Sequence, residues 1–235
     1  DQEGGRVSRL PQSEFMGFSG NMAIGATAKA NKEIFSSSTS LATAKHLNQL
    51  GINVNFAPVI DVNSSPNNPI MNVRSYGQSP KLVSDLGARA IKTMQQQNIS
   101  VAAKHFPGHG DTDSDSHKTL PTINFSKKRI DSIEMYPYPK LIDKGLSSVM
   151  VAHLNIPALE SRNGFPSSLS KHIVTEILKD TLGFKGLIFS DALEMKGVSN
   201  YSTPGEIDLA AFKSGNDVLL ISEDVPKAIA KIIEA

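Results

Sequence analysis

Short runs of apolar and β-branched residues alternate along the chain with longer stretches of helical character. Each of five such runs is followed directly by a polar residue, and each run has the length of a strand. Near-continuous apolar runs of this kind are typical of parallel strands that are covered on both faces. The predicted strands are residues 52–60, 99–103, 148–152, 187–190 and 218–221.

Helices are predicted between these strands, and Pro or a capping residue precedes four of the six helical stretches, while Gly follows four of them. Pro137 and Pro139 are expected to kink or split one of them, since each proline removes a backbone donor. A weak additional strand is expected at residues 70–73. The predicted helices are residues 32–50, 80–98, 127–144, 171–182, 204–214 and 226–234.

Serial strand–helix units are compatible with an open doubly wound sheet or with a closed (β/α)8 barrel. No G-x-G-x-x-G motif follows the first strand, and polar residues recur at the strand ends, where a barrel gathers its functional loops. We therefore predict an α/β fold of the (β/α)8 TIM-barrel type. A complete barrel takes about 250 residues, and only five strands are clear. We expect residues 1–235 to be one catalytic barrel domain whose natural chain extends beyond these termini.

Composition limits the function mainly by exclusion. The chain has 24 Lys and Arg against 23 Asp and Glu, so its net charge of +1 provides no broad basic surface for nucleic acid. It has no cysteine, which excludes disulfides, zinc–thiolate sites and a cysteine nucleophile. No apolar run is long enough to predict a membrane span. The chemistry must therefore lie in a local site, while the compartment and the oligomeric state stay open.

The segment Lys104–His117 is the most unusual in the sequence. It begins at a predicted strand end and holds three of the six histidines together with three aspartates. Gly108 and Gly110 allow the backbone to turn tightly. A merely solvated acidic loop is the plain alternative, but strand-end loops are where a barrel holds its catalytic residues.

One chemical interpretation of this segment is a metal site. Imidazole and carboxylate groups both suit zinc, manganese or iron. However, Pro107 and the two glycines interrupt the helical spacing of the first histidine pair, and no H-E-x-x-H motif is present. The candidate ligands are His105, His109, Asp111 and His117.

The second interpretation is an acid/base dyad of Asp115 and His117. Two residues apart on an extended loop, the carboxylate can orient the imidazole and raise its basicity. Asp191, which follows the strand at 187–190, would then be a nucleophile, with an N-cap or a salt bridge as its plain alternative. A carboxylate nucleophile and a second group that moves a proton are the parts of a retaining glycosidase.

Three segments resemble glycoside hydrolase family 3, and within it the bacterial β-N-acetylglucosaminidases. They are Asp1-Gln2-Glu3-Gly4-Gly5-Arg6-Val7, the run from Lys104 through Asp115-Ser116-His117, and Ser190-Asp191-Ala192-Leu193. The resemblance covers essentially the whole chain. It implies a barrel that removes terminal β-linked N-acetylglucosamine with retention of configuration, with peptidoglycan fragments as the expected source. It implies a carbohydrate partner and no cofactor.

Carried over position by position, the resemblance implies that Asp191 is the nucleophile, His117 the general acid/base and Asp115 its orienting partner. Asp61 and His153, also at strand ends, are expected either to support the site or to serve only the fold. A neutral histidine base repels phosphate less than a carboxylate does, so phosphorolysis stays open beside hydrolysis. The alternatives are a metal-dependent hydrolase and a sugar-binding barrel without catalysis. The residues implied to bind the sugar are Asp1, Arg9, Arg74, Lys104 and His105.

Overall fold

The computed structural model describes residues 1–27, 29–112 and 119–235, and within them five parallel strands form one sheet. The strands follow one another across the sheet in chain order. An open doubly wound sheet reverses its strand order at a switch point, whereas a (β/α)8 barrel does not. The α/β prediction of barrel type is thus confirmed, with five strands of a partial barrel. The strands are β1 (Val54–Asn55), β2 (Ser100–Phe106), β3 (Ser148–Val151), β4 (Leu187–Ala192) and β5 (Val218–Leu220).

Helices connect the strands and surround the sheet. The segment His172–Thr181 is π-helical, and single 3-10 turns lie at Asn72–Arg74 and Ser167–Leu169. None of the helices in the described ranges has the length and apolar character needed to cross a bilayer. The α-helices are α1 (Asn21–Ala26), α2 (Lys29–Gln49), α3 (Pro80–Gln95), α4 (Lys127–Ser132), α5 (Pro137–Ile142), α6 (Lys196–Ser199), α7 (Glu206–Ser214) and α8 (Val225–Glu234).

Most predicted elements are present, and the main differences have local causes. The predicted strand at 52–60 forms a ladder only at Val54–Asn55 and adds a single bridge from Val59 to Lys104, because Pro58 has no N–H to donate. The predicted helix at 127–144 is divided into α4 and α5, as the two prolines indicated. Helix α1 was not predicted.

The expected weak strand at residues 70–73 is wrong. The side chain of Asn68 accepts hydrogen bonds from the backbone N–H groups of Ile70 and Met71 at 2.9 and 2.8 Å. Asn72 then lies in the left-handed region, at φ +31°. A side chain that caps its own following backbone competes with strand pairing, so the chain turns here into the 3-10 segment Asn72–Arg74.

The sheet has an apolar layer on each face. The larger core lies between the strands and the helices, and includes the ring pair Phe106 and Tyr138. On the other face a small cluster forms around Ala102, Met150 and Phe189. Alternate residues of a strand point to the same face, so Lys104 shares the face of Ala102. Lys104, Met150 and Asp191 also line one cavity.

Candidate active site

A cavity of about 400 Å³ opens at the carboxyl ends of the strands, where a barrel places its function. Its walls combine charged groups with apolar side chains. Among the predicted site residues within the described ranges, all six line this cavity: Asp1, Arg9, Arg74, Lys104, His105 and Asp191. The predicted residues Asp115 and His117 lie outside the described residues. The structure therefore brings together six of the eight predicted site residues, drawn from positions up to 190 residues apart in the sequence.

Asp191 lies at the end of β4 and is half-buried in the cavity wall. Its Oδ1 accepts a hydrogen bond from the N–H of Ala192 at 2.9 Å. Burial acts to raise the pKa of Asp191, but the neighbouring His105 and His153 outweigh it and lower the pKa below its ordinary value. The side chain is thus an ionised carboxylate held against the cavity, which is the state a carboxylate nucleophile needs.

Lys104 is the central cation of the cavity floor, and its side chain is only 2% exposed. Its Nζ lies 2.5 Å from Oδ1 of Asp1 and 2.8 Å from Oε1 of Glu3. Burial lowers the pKa of Lys104, while the Glu3 carboxylate opposes that effect. Since a buried ammonium is stable only when it is paired, these two carboxylates hold Lys104 in place.

Arg74 forms a two-pronged ion pair with the same Glu3. Its Nε and Nη2 donate to the two carboxylate oxygens at 2.9 and 2.8 Å. Burial acts to raise the pKa of Glu3, but the hydrogen bonds from Arg74 and the charge of Lys104 lower it to about 2. Glu3 therefore stays ionised and ties two predicted sugar-binding cations together.

Sequence reasoning did not assign a role to Glu3, although it lies in a segment that carried the family resemblance. Nothing in its immediate neighbours distinguishes it from a solvated glutamate. Its partners, Lys104 and Arg74, are 101 and 71 positions away. Only the fold shows that they share one buried charge network.

Arg9 lies at the rim of the cavity. Its side chain is 68% exposed, and its Nη2 lies 3.6 Å from Oδ2 of Asp1. Asp1 thus carries a buried cation on one oxygen and a solvated cation near the other. An exposed arginine at a cavity edge is free to reorient toward a ligand, which Lys104 is not.

His105 is oriented by Asp61, which the sequence placed only as a support of uncertain role. The Nδ1 of His105 lies 2.7 Å from Oδ2 of Asp61, and the same carboxylate accepts the backbone N–H groups of His105 and His109. Burial acts to raise the pKa of Asp61, but His105 and the hydrogen bonds outweigh it and lower the pKa. An ionised Asp61 keeps the hydrogen on Nδ1, so Nε2 is the remaining polar atom of this ring.

The first part of the segment Lys104–His117, which we call the histidine loop, is anchored to its surroundings. The amide of Asn68 donates to the carbonyls of His109 and Gly110 at 2.9 and 3.1 Å, and Nδ1 of His109 lies 2.8 Å from the hydroxyl of Thr112. Burial and the nearby His105 lower the pKa of His109 to about 4. His109 is therefore neutral near pH 7.

These contacts bear on the metal hypothesis. Asp111 accepts a hydrogen bond from Nη2 of Arg129 at 2.7 Å, so this candidate ligand is already paired. Among the residues that the structure describes, no group of three or more His, Asp or Glu side chains is arranged to hold a metal ion. The fourth candidate, His117, lies outside the described residues.

Parallel strands in chain order and a polar cavity at their carboxyl ends define the chain as an α/β domain of the barrel type. The sequence profile of the glycosyl hydrolase family 3 N terminal domain matches residues 1–235. The chain belongs to glycosyl hydrolase family 3.

Three proteins illustrate this relationship. The chain is 39% identical over 231 residues to β-hexosaminidase A of Pseudoalteromonas piscicida, covering 94% of this chain and 39% of that protein. The family 3 β-N-acetylglucosaminidase of Paenibacillus sp. str. FPU-7 superposes with a TM-score of 0.93 at 37% identity, over 100% of this chain and 44% of that one. A zinc-bound structure of CbsA from Thermotoga neapolitana superposes with a TM-score of 0.88 at 32% identity, over 100% of this chain and 50% of that one. The chain thus spans half or less of the length of these relatives.

Proposed function

We propose that the protein is a retaining exo-β-N-acetylglucosaminidase and that residues 1–235 are its N-terminal catalytic barrel domain. The observation that carries the proposal is the convergence on one cavity of Asp191 with the five predicted sugar-binding side chains. Relatives at 37 to 39% identity are a β-hexosaminidase and a β-N-acetylglucosaminidase, which supports the same reaction and the same sugar.

Asp191 is the nucleophile in this proposal. Its carboxylate attacks the anomeric carbon of the terminal sugar and displaces the glycosidic oxygen, which takes a proton from His117. The covalent glycosyl–Asp191 intermediate then reacts with water, whose proton returns to His117. Two displacements at one carbon leave its configuration unchanged. Asp115 orients His117 and stabilises its cation.

The remaining cavity residues bind the sugar. Lys104 and Arg74 are held by Glu3, so their N–H groups are preorganised donors to hydroxyl oxygens. His105, with Nδ1 on Asp61, offers Nε2 to a hydroxyl group. Asp1 accepts hydroxyl protons, and Arg9 closes the rim of the cavity.

Terminal β-linked N-acetylglucosamine is the proposed substrate group, and muropeptide fragments of peptidoglycan are its proposed source. The first support is the activity of the relatives, a β-hexosaminidase and a β-N-acetylglucosaminidase, and the second is the family resemblance of the histidine loop. Incubation of purified muropeptides with the enzyme, followed by mass spectrometry, tests the source. Release of one N-acetylglucosamine per fragment is expected, and intact fragments beside an active enzyme would restrict the proposal to other glycans.

Hydrolysis of p-nitrophenyl β-N-acetylglucosaminide tests the activity itself. The acetamido sugar should be cleaved faster than the β-glucoside, and EDTA should leave the rate unchanged. Asp191→Asn should lower kcat on the order of 10³-fold or more, since the amide cannot form the covalent intermediate. Asp180→Asn, at an exposed position on the π-helical segment, is the matched control and should keep the wild-type rate.

Each result separates the candidates. EDTA-sensitive turnover would replace the proposal by the metal-dependent hydrolase, for which the histidine loop and the zinc bound by a relative are the reasons. Sugar binding without turnover would make the protein a binding barrel. Turnover that survives Asp191→Asn would remove Asp191 from the role of nucleophile.

A further inference from the structure

We infer that His153 is a positioning residue for Asp191: its buried imidazole joins the Ser168 hydroxyl to the Ala192 carbonyl and so sets the backbone that carries the nucleophile. This inference rests on the proposed function of Asp191. His153 itself is outside the residues that line the cavity, so its effect must pass through the protein.

His153 follows β3 and is fully buried. Its Nε2 lies 3.0 Å from the carbonyl oxygen of Ala192, and its Nδ1 lies 2.6 Å from Oγ of Ser168. A carbonyl oxygen only accepts, so Nε2 carries a hydrogen and donates it to Ala192. In the neutral ring, Nδ1 is then the acceptor of the Ser168 hydroxyl.

Ala192 is held on both sides of its Cα atom. Its carbonyl accepts from His153 and from the N–H of Met195 at 3.1 Å, while its own N–H donates to Oδ1 of Asp191 at 2.9 Å. The register of β4 and β5 is irregular between Phe189 and Ala192. At such a position the ladder constrains the backbone less, so side-chain contacts gain importance for where the Asp191 carboxylate points.

The far end of this connection is buried and hydrogen-bonded in turn to two further side chains. The carbonyl of Ser168 accepts from Oγ of Ser214 and from the amide of Asn216, both at 2.8 Å. These three side chains are buried. His153 therefore connects Ala192 to a buried, hydrogen-bonded group of side chains.

One partner of His153 lies beside Asp191, which a residue that served only packing would not need. Burying an imidazole costs more than burying an apolar side chain of similar size, unless both nitrogens are paired. Here both are paired, and one partner is the residue next to the nucleophile.

Two substitutions separate the two nitrogens. His153→Gln places an amide N–H near the position of Nε2 and can still donate to Ala192, whereas His153→Asn reaches only the position of Nδ1. On p-nitrophenyl β-N-acetylglucosaminide we expect His153→Asn to lower kcat by about 10- to 100-fold with KM changed less than about threefold. His153→Gln should recover most of that loss. His172→Asn, at an exposed histidine on the π-helical segment, is the control and should change neither constant.

The melting temperature of each variant is measured alongside. Equal kcat losses in the Asn and Gln variants, tracking equal losses of melting temperature, would overturn the inference, as would a His153→Asn variant with wild-type kcat. If His153→Asn does not fold, Ser168→Ala decides: a severalfold lower kcat at unchanged KM supports the role, and wild-type kcat overturns it. Wild-type protein without Asp191-dependent turnover would instead mean that the proposed function has failed.

Discussion

At the residue scale, buried carboxylates organise the cavity. Glu3 and Asp61 are both nearly inaccessible to solvent, and each is surrounded by several donors. A buried carboxylate is unfavourable alone but holds its partners in one geometry when it is fully hydrogen-bonded. The positions of Lys104, Arg74 and His105 are therefore consequences of these two side chains.

Removing the charge of Glu3 should affect both binding and stability. In Glu3→Gln, Lys104 keeps Asp1 as an anionic partner, but Arg74 loses its two-pronged acceptor. Breaking a buried ion pair costs about 3–5 kcal/mol of unfolding free energy. We expect a loss of about that size in urea unfolding and a rise in KM for the aryl glycoside of about tenfold.

The matched control is Glu33→Gln, which removes an exposed ion pair with Arg89. Surface pairs contribute about 0–1 kcal/mol, so stability and KM should stay near the wild type. Similar losses in the two variants would mean that the Glu3 network has no special weight.

At the element scale, the start of the histidine loop is fixed by close backbone contact. A Cβ atom placed on Gly110 would lie 1.8 Å from the carbonyl oxygen of Val62. Because that neighbour is backbone, it cannot move aside as a side-chain end can. We expect Gly110→Ala to lower the unfolding free energy by about 3 kcal/mol or more and to lower activity, because the loop must move.

Gly145→Ala is the control that separates the clash with the Val62 carbonyl from the general effect of replacing a glycine. Gly145 has φ +81° and open space around its Cα, so alanine there meets only backbone strain of about 1 kcal/mol. Urea unfolding of both variants measures the difference. Equal losses would refute a role for the contact with Val62.

At the scale of the whole molecule, the buried site should make stability fall in acid. The pKa of His109 is lowered to about 4, so between pH 6.5 and about 4 only the unfolded state takes up its proton. The pKa of Glu3 is lowered to about 2, so the same holds for this carboxylate between pH 4.5 and about 2. Proton uptake by the unfolded state lowers the unfolding free energy as pH falls.

Both groups therefore act in the same direction and in consecutive pH ranges. For one group, a difference of about 2.5 between its unfolded-state and folded-state pKa values lowers the unfolding free energy by about 3 kcal/mol once the pH has fallen below both values. Urea unfolding at pH 7, 5 and 4 should show a continuous loss, and His109→Asn should flatten its first part. A wild-type curve that is level from pH 7 to pH 4 would contradict the low pKa of His109.

Comparison of the elements shows how far local patterns reach. Four strands were predicted to within about three residues of their ends: 99–103, 148–152, 187–190 and 218–221. Each is a continuous apolar run, and such a run can be recognised from adjacent residues alone. The expected strand at 70–73 is absent because the side chain of Asn68 binds the backbone N–H groups that follow it. The strand predicted at 52–60 is interrupted because Pro58 has no N–H to donate. A prediction from the hydrophobic pattern averages over several neighbouring residues, so the effect of one side chain contributes little to it.

The sequence by itself determined the α/β class, the barrel-type order, the strand ends at which the cavity opens and the cavity residues implied by the family resemblance. These properties depend on hydrophobic period and on local motifs, and both are contained in short stretches of chain. Only the tertiary structure decided that Glu3 joins Lys104 to Arg74, that Asp61 orients His105, and that His153 holds the residue beside Asp191. These contacts join positions 39 to 101 residues apart, and their strength comes from burial, a property that a residue acquires only when the chain has folded.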